Sequence, residues 1–325
     1  MYFIHIEKNQ KHPVKPSKII LHLSLFIVSF FTVTVAGVQW LNRDPFDLTN
    51  FACGIPYSLS ILFILSCHEF GHYFAARFHG VDATLPYFIP FPTLPSVVNF
   101  GTLGAVIRTK SAIPSKKVMF DIGVAGPIAG FVATLLILSY GFLALPGKEF
   151  ILSIHPQYFS QTQPAGGVDL TFGNPLLYQF LSFILTNPTN QFVPPMTEMY
   201  HYPFLCAGWF GLFVTSMNLL PVGQLDGGHL AYTMFGPRHK IIARSAFIVI
   251  IAIGLLGLLP LLNISFSFGW TGWLFWGLIL FFVVKLDHPP VLDETPLDQF
   301  RKNVGWATFG ILCLSFIPTP FTIPL

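Results

Sequence analysis

Charge is what this sequence has least of. Asp, Glu, Lys and Arg make up 10% of its 325 residues, against 53% hydrophobic residues. A soluble domain carries about a quarter charged residues, so an ordinary water-soluble fold is excluded. Cysteine is scarce too: Cys53, Cys67, Cys206 and Cys313 form no CxxC pair, which argues against a disulfide framework and a Cys-type zinc site. Neither an internal repeat nor a low-complexity linker divides the chain, so one membrane domain with loops is the simplest organisation. The net charge of +3 is spread over several loops and forms no single basic patch; no nucleic-acid partner is expected.

Long apolar runs stand where the charges are missing. Runs near the length needed to cross a ~30 Å hydrocarbon core fall at about 19–40, 57–78, 118–146, 204–220, 245–262, 269–285 and, more briefly, 306–318. With seven spans, all Lys and Arg residues except Arg43 and Lys148 lie on one side: Lys8, Lys11, Lys15 and Lys18, then Arg77, Arg108, Lys110, Lys116 and Lys117, then Arg238, Lys240 and Arg244, then Lys285, Arg301 and Lys302. Short cytoplasmic loops carry the positive excess, so this side, with the N-terminus, is predicted inside. The first run has a rival reading as a cleaved signal peptide, because Val35, Ala36 and Gly37 are small. Its length favours an uncleaved anchor.

The expected fold is an all-α polytopic membrane protein of about six to seven transmembrane helices, with a small membrane-associated β element between the second and third spans. Prolines at 86, 90, 92 and 95 forbid a continuous helix there, and NFGTLGAVIR after them suits an extended strand. The expected divisions are a cytoplasmic segment 1–18, a membrane domain 19–285 with an extracytoplasmic loop 147–203, a cytoplasmic segment 286–305, and a last span with the C-terminus at 306–325. Residues 174–186 suit a short amphipathic helix on the membrane surface. Thr295 as N-cap with Pro296 behind it predicts a short polar cytoplasmic helix, with Asp298 in its first turn.

Residues 66–80 read SCHEFGHYFAARFHG, at the end of the second apolar run. Ionisable groups at bilayer depth are costly unless they line a cavity, pair, or hold an ion. On a helix, His68 and His72 share one face at the spacing that offers two imidazoles to one metal ion. Glu69 on the adjoining face can reach a water without ligating, the general-base role of HExxH hydrolases. A catalytic zinc takes three protein ligands, and His22, Asp121, Asp226 and His229 are the acids and histidines in or near other spans. Asp226 stands in NLLPVGQLDGGHL, where Pro221 breaks the fourth span and Gly227 and Gly228 permit irregular backbone. Both His68, nine residues before Arg77, and Asp226, twelve before Arg238, belong to the cytoplasmic half. Asp121 stays open as a ligand, although its place suits a helix N-terminus. The plainer readings are two histidines hydrogen-bonded within the bundle and a carboxylate capping a Gly-rich turn. Cys67 and Gly71 read as packing residues and His79 as solvated.

With these residues in place the chain resembles the site-2 protease family of intramembrane zinc metalloproteases. His68-Glu69-Phe70-Gly71-His72, Gly126-Pro127-Ile128-Ala129-Gly130, and Asn218-Leu219-Leu220-Pro221 leading to Leu225-Asp226-Gly227-Gly228 carry the resemblance. It covers roughly residues 57–230, the implied catalytic core, and more weakly His288 to Arg301. It implies Zn2+ on His68, His72 and Asp226, Glu69 as base, Asn218 against the substrate, and Gly101, Thr102, Leu103, Gly104 and Ala105 as a strand receiving an unwound substrate. The implied activity is hydrolysis of a peptide bond in a transmembrane segment of a membrane-protein substrate near the cytoplasmic side, in regulated intramembrane proteolysis. Its partners would be a single-span signalling protein, or an anti-sigma factor if the source is bacterial, and the lipid bilayer. The setting would be multi-pass, in a bacterial inner membrane or an organellar one. Many members add a PDZ or CBS domain; the short loop 147–203 implies a different or missing substrate filter. The CAAX-type zinc proteases, with a glutamate as third ligand, fit less well because of the Asp-Gly-Gly motif.

Two other classes compete. A metal-ion transporter would spread ionisable groups along a path through the membrane, whereas here they gather at one depth. A catalytically inactive family member that only binds partners is disfavoured by the intact ligands and Glu69.

Overall fold

The computed structural model describes residues 16–92, 99–160, 170–264, 266 and 268–322. Lys8, Lys11, Lys15 and Pro95 lie outside them. The elements run α1 (Pro16–Trp40), α2 (Phe51–Phe78), β1 (Tyr87–Pro90), β2 (Thr102–Val106), α3 (Lys116–Leu143), α4 (Lys148–Ile154), β3 (Thr171–Phe172), α5 (Leu176–Leu185), α6 (Pro203–Asn218), α7 (Asp226–Phe235), α8 (His239–Leu256), α9 (Gly272–Ile279), α10 (Gln299–Ser315) and β4 (Phe321–Thr322).

Four helical stretches among the described residues are long and apolar enough to cross a membrane: Lys18–Trp40, Leu48–Phe78, Lys116–Leu143 and Asp226–Leu256. Gly236, at φ +55 and ψ −131, divides the last into α7 and α8. Leu176–Leu185 and Gly272–Val284 are shorter apolar helices. Large apolar side chains such as Ile20, Phe31, Leu136, Ile248 and Phe282 point outward from the bundle, as they do where lipid is the solvent. The protein is thus an integral membrane protein.

Lipid is as apolar as leucine, so helices in a bilayer are held by close packing and not by a hydrophobic drive. Glycines set the approaches. A Cβ on Gly54 of α2 would lie 2.1 Å from the Thr34 carbonyl oxygen of α1, and one on Gly71 would lie 2.5 Å from the Ala125 carbonyl oxygen of α3. The reading of Gly71 as a packing residue holds. α6 is buried continuously from Leu205 to Phe213, so it stands at the centre of the bundle and needs no polar face. Its Trp209 is fully buried and donates to the Gly173 carbonyl at 2.7 Å.

The expected strand is β2, antiparallel to β1 in the register Tyr87↔Val106, Phe88↔Ala105 and Pro90↔Thr102. β1 was not foreseen. The helix expected at 174–186 is α5, which buries Leu177, Tyr178 and Leu181, and β3 pairs with β4.

Two helix starts differ from expectation. The helix placed at 245–262 begins at His239 and ends at Leu256. The helix expected to start at Thr295 starts one turn later: the Asp298 carboxylate accepts from the Arg301 backbone N–H at 3.0 Å, and α10 then runs unbroken into the segment assigned to the last span, ending at Ser315. Thr295 is engaged elsewhere, its N–H donating to the Asp293 carboxylate at 2.9 Å in a local turn, the competing use of such residues.

Candidate metal centre

α2 carries His68 and His72 one turn apart, both buried. The His72 Nδ1–H donates to the Ile122 carbonyl of α3 at 2.7 Å, which leaves the Nε2 lone pair facing inward. Holding the second ring nitrogen in this way fixes the tautomer of a metal-binding imidazole. The two Nε2 atoms lie 3.1 Å apart.

The third corner comes from the break after α6. Leu219 to Leu225 fold into tight turns, with Gly223 at φ +55 and its N–H bonded to the Leu286 carbonyl. α7 then begins directly at Asp226. A Cβ on Gly227 would lie 1.9 Å from the Leu219 carbonyl oxygen, so the turn can fold onto this helix start only because the side chain is missing. The Asp226 carboxylate does not cap the turn. Its Oδ2 lies 3.3 Å from His68 Nε2 and its Oδ1 3.3 Å from His72 Nε2.

The three candidate ligand groups thus close a triangle, with 3.1 Å between the two Nε2 atoms and 3.3 Å from each Nε2 to its own oxygen of the Asp226 carboxylate. Ligands about 2.0–2.1 Å from a zinc ion at tetrahedral angles stand roughly 3.3 Å apart, so the donor set and spacing fit that ion. α3 leaves the room. A Cβ on Gly126 would fall 2.1 Å from His72 Nε2, and one on Gly130 would fall 3.0 Å from the His68 Cβ. The Gly-Pro-Ile-Ala-Gly run is therefore a cradle for the two histidines, a role that the sequence reading did not assign to it.

Glu69 is buried at the same place, its Oε1 4.0 Å from His68 Nε2. That is farther than the Asp226 contacts, near enough to meet a water beside the histidines. Its carboxylate also lies close to the backbone of Ile107, one residue past β2. Asn218, the last residue of α6, holds its Nδ2 3.4 Å from His68 Nε2. The end of α6 thus meets His68, and the segment just past β2 meets Glu69.

The other candidates go elsewhere. Asp121 accepts from Arg301 Nε and from its Nη2, both at 2.7 Å, and lies 2.9 Å from His79 Nε2; it joins α3 to α10 and is not with the triangle. His79, read as solvated, is bound in this pair. His22 meets the Pro86 carbonyl and His229 meets His288. Of the expected substrate strand, Gly101 accepts from Thr32 through its carbonyl, Thr102 is buried, and Leu103 is 67% exposed. Gly104 has φ +101 with open space where a side chain would stand. Ala105 faces Phe88 of β1.

Apolar helices closing around a buried His-His-Asp triangle with a glutamate beside it define a class: a membrane protein built around a candidate metal centre of hydrolase type. The chain belongs to peptidase family M50, the site-2 protease family, whose profile matches residues 56–261. It is 29% identical over 307 residues to a protein of Oryza sativa subsp. indica named "Probable zinc metalloprotease EGY2, chloroplastic", covering 92% of this chain and 50% of that one. The protein of the same name from Arabidopsis thaliana is 25% identical, covering 92% and 48%. "Probable zinc metalloprotease EGY1, chloroplastic" of Oryza sativa subsp. japonica is 30% identical over 271 residues, covering 81% and 40%. The chain spans about half the length or less of these curated relatives.

Proposed function

We propose that this protein is a zinc endopeptidase that hydrolyses a peptide bond within a transmembrane segment of another membrane protein, near the side where the basic loops lie, as a step of regulated intramembrane proteolysis. The observation that carries this reading is the triangle of His68, His72 and Asp226 inside apolar helices, with Glu69 just beyond ligating distance. The names of the relatives agree with zinc.

His68, His72 and Asp226 hold the ion. Zinc bound there would lower the pKa of a water to about 7 and polarise the scissile carbonyl. Glu69 takes the proton from the attacking water on its carboxylate and passes it to the leaving amine, the work of a general base that becomes an acid. Asn218 offers its amide N–H groups beside His68, where a substrate carbonyl would lie. Burial limits water to what the reaction uses.

A helical substrate hides its carbonyls in its own hydrogen bonds and must unwind before attack, and its freed backbone groups then need partners in lipid. An edge strand supplies them. β2 supports this role: β1 covers one edge, no described strand pairs with the other, and its far end reaches Glu69 through Ile107. The partner is a membrane protein with a transmembrane segment. Relatives named chloroplastic favour an organellar setting or one related to it.

Two experiments test this. Zinc content of Asp226→Ala, measured on the purified protein, should fall at the buried triangle; unchanged content would remove Asp226 from the ligand set. Proline placed singly at 103, 105 and 106 removes one backbone donor at a time; Gly104 is left alone because its φ of +101 cannot hold proline. Positions whose N–H faces away from β1 should lose cleavage while zinc and fold persist. Equal activity at all three would rule out substrate pairing by β2.

A further inference from the structure

At the opposite end of α6 a second set of metal-ligand side chains converges. His155 caps the end of α4, and Glu198 caps the start of a single 3-10 turn, Met199–His201, whose last residue is His201, just before Pro203 opens α6. His155 Nε2 lies 3.1 Å from His201 Nε2, and Glu198 Oε2 lies 3.4 Å from the first and 3.6 Å from the second. These edges also fit ligands about 2.0–2.1 Å from one tetrahedral zinc. His201 is buried, and its Nδ1 bonds the Trp40 carbonyl at the end of α1. With Nδ1 donating there, Nε2 presents its lone pair to the other two groups, the arrangement a ligating imidazole requires. His155 is 39% exposed on its side chain, which leaves an open face for a cation to enter and for a water as fourth ligand.

The geometry points to a second zinc site at His155, Glu198 and His201, on the extracytoplasmic side, independent of the buried triangle. Its three ligands come from the two ends of the loop 147–203, and the His201–Trp40 bond ties them to the first helix. A bound ion there clamps the loop to the ends of α1 and α6. Among the described residues no further carboxylate stands beside these three as Glu69 does beside the buried triangle, and Glu198 itself serves as a ligand; the role assigned to this site is to hold the loop.

The test is zinc per chain by elemental mass spectrometry on the full chain purified in detergent and equilibrated with buffered free zinc. Wild type should hold two. His155→Ala, at a half-exposed position that leaves the fold intact, and Glu198→Gln should each hold one, with unchanged elution on size exclusion. His72→Ala should also hold one, and the His72→Ala/His155→Ala double variant none. Zinc should raise the unfolding temperature of His72→Ala but not of the double variant, because only a bound ligand stabilises the folded state. The two sites are thereby tested apart: if His72→Ala loses nothing while His155→Ala does, the buried site fails and this one stands. A wild-type protein whose zinc content is unchanged by both His155→Ala and Glu198→Gln would overturn the second site, leaving the three groups as a hydrogen-bonded cluster.

Discussion

The two clusters are nearly the same figure built in different surroundings. Each has two imidazoles with Nε2 atoms 3.1 Å apart and a carboxylate within 3.6 Å of both. They stand at the two ends of the 16-residue α6, about 24 Å apart at 1.5 Å per residue. The inner one is enclosed by helices, is framed by glycines of α3, and has a second carboxylate and an amide beside it. The outer one sits on a helix cap and a turn, is open at His155, and has Glu198, its one carboxylate among the described residues, inside the triangle. Three ligands make a metal site; a group that can move a proton and a wall that limits water make a catalytic one.

Breaking each figure separately is the sharpest way to test that contrast. The largest effect is expected from His72→Ala, which removes a buried ligand: cleavage should be undetectable and the inner zinc lost, as measured by turnover of a single-span substrate and by metal content. Next comes Gly126→Ala, which touches no ligand covalently but puts a Cβ 2.1 Å from His72 Nε2. It should lose most inner-site zinc and at least tenfold in activity, an amount set by about 1.4 kcal/mol or more of overpacking. Gly310→Ala, with nothing within 4 Å of its Cβ, is the control and should behave as wild type. The smallest effect that departs from this control is expected from Asp121→Asn, which weakens the Arg301 pair between α3 and α10. That pair is partly exposed, so about 1 kcal/mol is expected, read as a fall of roughly 2–4 °C in unfolding temperature with both zinc ions retained.

The contrast also explains what the sequence could tell. His68, Glu69 and His72 are legible because one helix with a fixed period brings them together. Asp226 is legible because Pro221 and two glycines announce a break at membrane depth. The outer site is not, since His155 lies 46 residues from His201 and nothing local links them. Glu198 and His201, at i and i+3, were its one local sign. β1 is hidden in the sequence because the prolines there speak only against a helix, while Pro90 stands at the end of an edge strand, where its missing N–H costs little. His79 was read as solvated because its partner Asp121 belongs to another helix. The start of α10 was misplaced because Thr295 and Asp298 are both good caps, and Asp293 engages the first.

The central claim is that the inner site is catalytic because Glu69 stands beside it. The direct measurement is zinc content together with cleavage of a transmembrane substrate by Glu69→Gln. This change keeps the shape of the side chain and removes the base. The account predicts wild-type zinc and a loss of cleavage of about 10²-fold or more. Wild-type turnover in that variant would contradict it.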